Sequence, residues 1–431
     1  MRLRSLLARG AWAIAVGGAT ACASPGMPPG GPPDSKAPEM VAVTPDTGAV
    51  NVSARQVVFR FDEVVSERPA GAASLAGLFL VSPRDGEPEV DWHRSRVTVR
   101  PRRGFRRNTV YVVTMLPGLT DLRGNVRREG ASLVFSTGPT IPATRLEGVA
   151  FDWPAGATLR NGIVEAIALP DSLSYVTLVD SAGRFTLRHL PPGRFLVRAY
   201  ADANSNRVFD PRELYDTLSV TLVDDSTANA PVELLAFAHD TLGARLSGIT
   251  VRDSVTLRVE FDKPVLPAQQ LAPENFAVQR ADSSVIAVVR VEAAPDAEAR
   301  VARERAAADT MLRADSVDRA RRADSSRVAN APQRALPPNV KPPARPRTPR
   351  ADTTAALKPS RPVPVREFEL RLASPLAGGE AYRLTARDAR NLIGRAATSS
   401  RVFDAPKPAP RDTTRAVPRP APRDSAAPPR R

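Results

Sequence analysis

Residues 57–65 and 257–265 repeat one pattern in a chain of 431 residues, and that repeat limits what the chain can fold into. Apolar side chains take alternate positions, Val57, Phe59 and Phe61 in the first copy against Leu257, Val259 and Phe261 in the second. Each run then reaches Phe-Asp, at Phe61-Asp62 and Phe261-Asp262. A period of two marks a half-buried strand, because successive strand side chains point to opposite faces. Copies so far apart belong to two β-domains with other structure between them, not to neighbouring strands of one sheet.

Proline and charge show where those domains stop. Of 43 prolines, 6 fall in 23–39, 9 in 331–363 and 8 in 405–431, so more than half sit in three linker-like segments. The net charge of +15 is placed in the same way. The first 21 residues carry Arg2, Arg4 and Arg9, residues 293–363 hold 15 basic and 8 acidic groups, and 405–431 hold 7 and 2. What remains is neutral in sum. The basic balance therefore describes a leader, an insertion and a tail, and gives no sign of dedicated nucleic-acid binding.

A single cysteine excludes an internal disulfide framework. Residues 1–21 combine a basic start, an apolar stretch at 10–19 too short to span a bilayer, and the small residues Ala19, Thr20 and Ala21 before Cys22. This segment resembles the lipobox of bacterial lipoproteins, with Ala19 where leucine is usual, and the resemblance implies that Cys22 carries the lipid. The segment alone also allows an ordinary cleaved signal with an incidental cysteine. Several acyl chains, at about 0.8 kcal/mol per buried methylene, would hold the protein on a membrane without a transmembrane helix. Residues 22–37 then read as a Pro/Gly-rich tether. With Ala23 and Ser24 after the cysteine, the resemblance implies the outer membrane, on its surface or periplasmic face.

Residues 38–140 hold strand-like runs at 40–43, 56–61, 78–81, 88–92, 96–100, 109–115 and 132–136. About seven short strands in about 100 residues predict an immunoglobulin-like sandwich. Residues 43–52, Phe59 to Glu63, Tyr111 to Thr114 and the run Leu-Thr-Asp-Leu-Arg-Gly-Asn at 119–125 resemble the bacterial Ig-like domains of S-layer proteins. Seven arginines stand close together here: Arg94, Arg96, Arg100, Arg102, Arg103, Arg106 and Arg107. With Val97 and Val99 inward, Arg96, Thr98 and Arg100 are expected on the solvent face. Such a patch suits phosphate or carboxylate groups of an anionic envelope polymer or glycan through forked contacts, and it equally suits a solvated strand face.

Residues 143–238 read as a β-meander, with an Asp-Ser-Ala-Gly turn at 180–183 and a Leu-Pro-Pro-Gly corner at 190–193. This run resembles the carboxypeptidase regulatory-like, transthyretin-like β-sandwich, a resemblance that implies no catalysis. Next comes a run in which Asp202, Asn204, Asn206, the Val208 carbonyl, Asp210 and Glu213 occupy positions 1, 3, 5, 7, 9 and 12. That is the spacing of a calcium loop, which gathers hard oxygens around one ion. Arg207 stands where glycine is expected at position six, and no helices flank the loop. A structural Ca2+ is expected, against Asx turns in which the same side chains only bond backbone amides.

Residues 245–292 and 364–405 read as a second, degenerate Ig-like domain interrupted by 293–363. The segment 388–395 is expected to take the place of 121–125. Within the interruption, 298–327 is rich in helix formers without a continuous apolar face, a pattern for a transient solvated helix. Residues 331–363 and the tail 406–431 are Pro-rich and basic and are expected to be disordered.

The fold class is therefore all-β: tandem Ig-like and transthyretin-like sandwiches with a basic, Pro-rich insertion and tail. His93, His189 and His239 fall in separate regions, and no phosphate loop, nucleophile elbow or zinc spacing occurs, so no enzyme is expected. Two readings remain. One is a membrane-anchored, non-catalytic binding or adhesion module of the cell envelope. The other is a structural stalk or accessory subunit that contacts envelope proteins, peptidoglycan or lipopolysaccharide.

Overall fold

The computed structural model describes residues 34–224, 229–328 and 357–407, with side chains omitted for 318–328. The leader 1–21, Cys22, most of the tether 22–37, the stretch 329–356 of the insertion and the tail from 408 lie outside the described residues. The chain divides into two compact units, one ending at Ile141 and one beginning at Pro142.

The first unit is a sandwich of seven strands: β1 (Met40–Thr44), β2 (Val57–Phe61), β3 (Phe79–Ser82), β4 (Glu89–His93), β5 (Arg96–Arg100), β6 (Val110–Met115) and β7 (Ala131–Ser136). One sheet runs β1-β2-β5-β4 and the other β3-β6-β7, with antiparallel pairing throughout. Alternation fixes the core. Val57, Phe59, Phe61, Val97 and Val99 face Phe79, Val81, Tyr111, Val113, Leu133 and Phe135 across the sandwich. One expected face differs: Thr98 is 4 % exposed. Its strand lies inside the sheet, where Thr98 is flanked by Val58 and Asp91.

The second unit opens with another sandwich, of β8 (Arg145–Asp152), β9 (Ala157–Thr158), β10 (Gly162–Leu169), β11 (Ser174–Leu178), β12 (Arg184–Arg188), β13 (Gly193–Ala201), β14 (Tyr215–Leu222) and β15 (Val232–Ala236). Its sheets run β11-β10-β13-β14 and β12-β8-β15, with β15 parallel to β8 and β9 paired beside it. Val164, Ala166, Phe195, Val197 and Ala199 point into the core with Leu146, Phe185, Leu187 and Leu234.

The third sandwich contains β16 (Leu246–Asp253), β17 (Thr256–Val265), β18 (Phe276–Arg280), β19 (Val285–Ile286), β20 (Val288–Ala293), α1 (Ala294–Val328), β21 (Val365–Leu372), β22 (Ala381–Arg390) and β23 (Ala396–Asp404). Its sheets run β16-β17-β21-β20 and β19-β18-β22-β23. Strand for strand this repeats the first sandwich, with β19 added at an edge. The insertion therefore occupies the β20–β21 connection, which in the first copy is the tight β4–β5 hairpin at Arg94 and Ser95, with Arg94 at φ 58. Pro295 at the start and Asp296 in the first turn favour helix initiation, and α1 begins directly from β20.

Both ends of the insertion belong to the fold. Ala294 and Ala297 are buried, whereas residues 302–317 are exposed on every side. At the returning end, the Trp153 indole N–H donates to the Pro362 carbonyl at 3.0 Å, and the Ser360 amide donates to Glu233 at 2.8 Å. Beside them Phe151, Trp153 and Leu235 pack with Phe237 and with Leu392 of the third sandwich. No helix among the described residues is long and apolar enough to cross a membrane.

Candidate functional site

The aspartate of the repeated Phe-Asp is a strand clamp. The Asp62 amide donates to the Glu39 carbonyl at 3.0 Å, and Asp62 Oδ1 accepts the Glu39 amide at 2.8 Å. In the second copy the Asp262 amide reaches the Arg245 carbonyl and Asp262 Oδ1 accepts the Arg245 amide, both at 2.8 Å. Each aspartate thus locks the residue that leads into the first strand of its sandwich, while the phenylalanine before it fills the core.

A second shared element is the turn after β6 or β22. Asp121 Oδ1 accepts the amides of Arg123 and Asn125 at 2.8 Å each, and Gly124 closes the turn at φ 89. Asn391 Oδ1 accepts the Arg395 amide at 2.8 Å, and Gly394 lies at φ 82. The counterpart of 121–125 is therefore 391–395. The expected start at Asp388 is displaced by three residues, because the turn needs an acceptor oxygen and not a charge.

These elements bring three carboxylates together in the first unit. Oxygens of Asp34, Glu63 and Asp121 all lie within 4.8 Å of one another, and Asp121 is 3 % exposed. Burial and the neighbouring Asp121, Asp34 and Asp62 push the Glu63 carboxyl above its ordinary range. Burial works in the same direction on Asp121, but hydrogen bonds from Asn125, Arg123 and Gly124 outweigh it and hold that group low. The corresponding places in the second copy are Asp240, Lys263 and Asn391. There the Lys263 ammonium pairs with Asp240, donates to the Leu242 carbonyl at 3.3 Å and lies 4.0 Å from Asp262. An oxygen-only set such as Asp34, Glu63 and Asp121 is one that a hard divalent cation takes. In the second copy the Lys263 ammonium occupies the place of Glu63.

The loop at 202–213 lies over the outer face of β10 and β13. Asp202 accepts the Asn206 amide on Oδ1 at 3.0 Å and the Arg207 amide on Oδ2 at 3.1 Å. Asn204 Oδ1 accepts the Asn206 amide at 3.0 Å, Asn206 Oδ1 accepts that of Val208 at 2.7 Å, and Asp210 Oδ1 that of Arg212 at 2.9 Å. Glu213 reaches back to the Ala203 amide at 3.0 Å, and its Oε2 is buried without a hydrogen-bond partner. Arg207 supplies the turn expected of glycine by taking φ 55. The carboxylates of Asp202, Asp210 and Glu213 do not converge as the first-unit trio does, since their oxygens do not all lie within 4.8 Å of one another.

Beneath the loop is a buried ion pair that sequence reasoning passed over. Glu165, 2 % exposed, receives the Arg198 guanidinium at 2.7 Å and the Tyr200 hydroxyl at 3.3 Å. Phe209 caps Arg198 at 3.6 Å, and Tyr200 donates to the Arg207 carbonyl at 3.0 Å. Burial lowers the Arg198 pKa. The signal was present: Glu165 is the one charge in β10, Arg198 stands between the apolar Val197 and Ala199 of β13, and the two pair directly in the β10–β13 register.

The arginine stretch divides between the two ends of β5. Arg94 and Arg96 stand at the hairpin end, with Arg60 opposite Arg96. At the other end Arg100 pairs with Glu89 at 2.6 Å, and the amides of Arg102 and Arg103 bind Asp85 at 3.1 and 2.7 Å. The Arg106 amide donates to the Tyr111 hydroxyl at 2.8 Å, and Arg107 follows, exposed. Apart from that of Arg100, none of the seven guanidinium groups has a carboxylate within 4.0 Å among the described residues.

The histidines remain apart. His93 is exposed on β4, His189 contacts the Pro142 carbonyl at 2.8 Å, and His239 stacks on Tyr215 and Phe237 at 3.7 and 4.2 Å between ring centres. Burial pushes the His239 pKa down.

Residues 34–137 match the family described as Bacterial Ig-like domain. Among solved structures, the N-terminal part of the bacterial S-layer protein SbsC is 15 % identical, with 43 % of each chain covered and a TM-score of 0.18. Domains 1-6 of surface layer protein SbsC are 10 % identical over 87 % of this chain and 55 % of that one, with a TM-score of 0.19. An L,D-transpeptidase from Mycobacterium smegmatis is 17 % identical over 43 % and 74 %, with a TM-score of 0.18. The chain spans less than half of the first of these and just over half of the second. No curated protein matches it.

Proposed function

We propose that this chain is a lipid-anchored, non-catalytic module of the bacterial cell envelope, whose first Ig-like sandwich binds an anionic polymer or glycan. The observation that carries the reading is the exposed run of Arg94, Arg96, Arg102, Arg103, Arg106 and Arg107 on a domain of the Ig-like family, whose guanidinium groups have no carboxylate within 4.0 Å among the described residues. Guanidinium forks left open to solvent suit phosphate and carboxylate groups. The Cys22 segment supports the anchor and, with it, an outer-membrane address. Binding of the purified chain to an acidic polysaccharide tests the proposal. Replacing Arg102, Arg103, Arg106 and Arg107 by glutamine should weaken binding at least tenfold at physiological salt, and unchanged affinity would refute it.

A stalk or accessory role in an envelope assembly is the second reading. It is favoured by the packing of Trp153 against the returning insertion and of Leu392 against the second sandwich. In either role the 202–213 loop is proposed to take a structural Ca2+. The buried, unpartnered Glu213 Oε2 fits that proposal, and Asp202, Asn204, Asn206, Asp210 and the Val208 carbonyl are the other donors. Such an ion would stiffen the loop over Glu165 and Arg198.

A further inference from the structure

The outer face of the sheet β16-β17-β21-β20 carries charges in rows, and the rows are not balanced alike. In one row Glu292 lies directly opposite Glu369, with Arg258 next across the sheet. Like charges opposite one another are unfavourable. Here α1 corrects them: Arg300 reaches Glu292 at 3.1 Å and Glu369 at 3.9 Å, while Glu298 takes Arg258 at 2.9 Å.

The neighbouring row has no such correction. Arg290 lies opposite Arg371, with Thr256 and then Asp253 beyond. Arg371 donates to the Thr256 hydroxyl at 2.9 Å, and among the described residues neither its guanidinium nor that of Arg252 on β16 has a carboxylate within 4.0 Å. Among the described residues Arg290 has only Glu292, at 3.6 Å. These three arginines line an open groove of about 600 Å³ between the sheet and the first turns of α1. That volume lies in the range of small-molecule sites, roughly 300–1,000 Å³.

We infer that this groove binds the phosphate group of a phosphorylated saccharide, the phosphate seated among Arg252, Arg290 and Arg371. A phosphate group offers three outer oxygens against a carboxylate's two, so several forks and a hydroxyl suit it better. Asp253 and Glu369 also line the groove and supply acceptors for sugar hydroxyls. This site lies on the third sandwich and does not depend on the arginines of the first.

Calorimetric titration of the full chain with glucose 1-phosphate, inorganic phosphate and glucose at 0.15 M salt tests the inference. Glucose 1-phosphate should bind, inorganic phosphate at least tenfold more weakly, and glucose not measurably. Arg371→Gln and Arg252→Gln should each weaken binding about tenfold, whereas Arg383→Gln, an exposed arginine on the other sheet, should leave it unchanged. Equal affinity for inorganic phosphate would overturn the saccharide. Unchanged binding in both groove variants, or an equal loss in Arg383→Gln, would overturn the site.

Discussion

Replacing Glu63 by lysine puts a cation in the first sandwich where the third has Lys263, with Asp121 still charged where the third has the neutral Asn391. Glu63 stands with Asp34 and Asp121 within 4.8 Å, where the third sandwich places Lys263 beside Asp240. At that separation two unit charges interact by about 1 kcal/mol in a water-like dielectric. Asp34 is exposed and Glu63 half-buried, so screening and side-chain entropy reduce each contact to about 0.25–0.5 kcal/mol, in the lower part of the range for exposed pairs. The substitution turns two repulsions into two attractions, so the net gain should be about 1–2 kcal/mol, or a factor of about 5–30 in the folded population. Several sandwiches in one chain make a single melting temperature ambiguous, so amide hydrogen exchange on the full chain is the better assay. Amides of β2 and β5 should exchange about 5–30-fold more slowly, and those of β17 should not change. A pH dependence should vanish with the carboxyl. The folded pKa of Glu63 is raised, so its contribution is fully present below the unfolded pKa and lost as pH rises through the folded one. Unchanged or faster exchange in β2 and β5 would refute the reasoning.

Asp62→Ala and Asp262→Ala should each cost about 1.5–3 kcal/mol through loss of a charged acceptor, read as faster exchange in β1 or β16 respectively. Lys263 and the Leu242 amide hold Asp240 below its ordinary range, although burial opposes them. Stability from that pair is present above the unfolded carboxylate value and lost as pH falls through the lowered one, so Lys263→Met should flatten the pH dependence of β17 protection, taken relative to intrinsic exchange, as pH falls below the ordinary carboxylate range. Millimolar calcium should slow exchange in β13 and β14, which flank the 202–213 loop, and chelator or Glu213→Gln should abolish the effect; a response that survives Glu213→Gln would remove Ca2+ from the loop.

The strands were legible because alternation at Val57, Phe59 and Phe61, and again at Leu257, Val259 and Phe261, has one physical cause, a sheet with one buried face. The partner of Asp62 was not legible, since its bond runs to the backbone of Glu39 and backbone leaves no mark in a sequence. The position of the insertion was seen as an interruption, but its equivalence to the Arg94 hairpin needed strand order. Matching Asp388 to Asp121 followed charge, whereas the turn follows an acceptor oxygen that Asn391 supplies equally well. In the 202–213 run the spacing predicted six donors around one point. The fold uses most of them first to hold backbone amides, and only Glu213 Oε2 is left buried and unpartnered. The arginine run read as one patch because its members are neighbours in sequence, yet the four steps from Arg96 to Arg100 span about 13 Å of strand.

Fractionation of cells expressing wild-type and Cys22→Ser chains tests the proposed attachment to the envelope through Cys22. Wild type should be recovered with membranes and labelled by a fatty-acid analogue, while Cys22→Ser should be unlabelled and released. A Cys22→Ser chain that stays fully with the membrane would contradict the account.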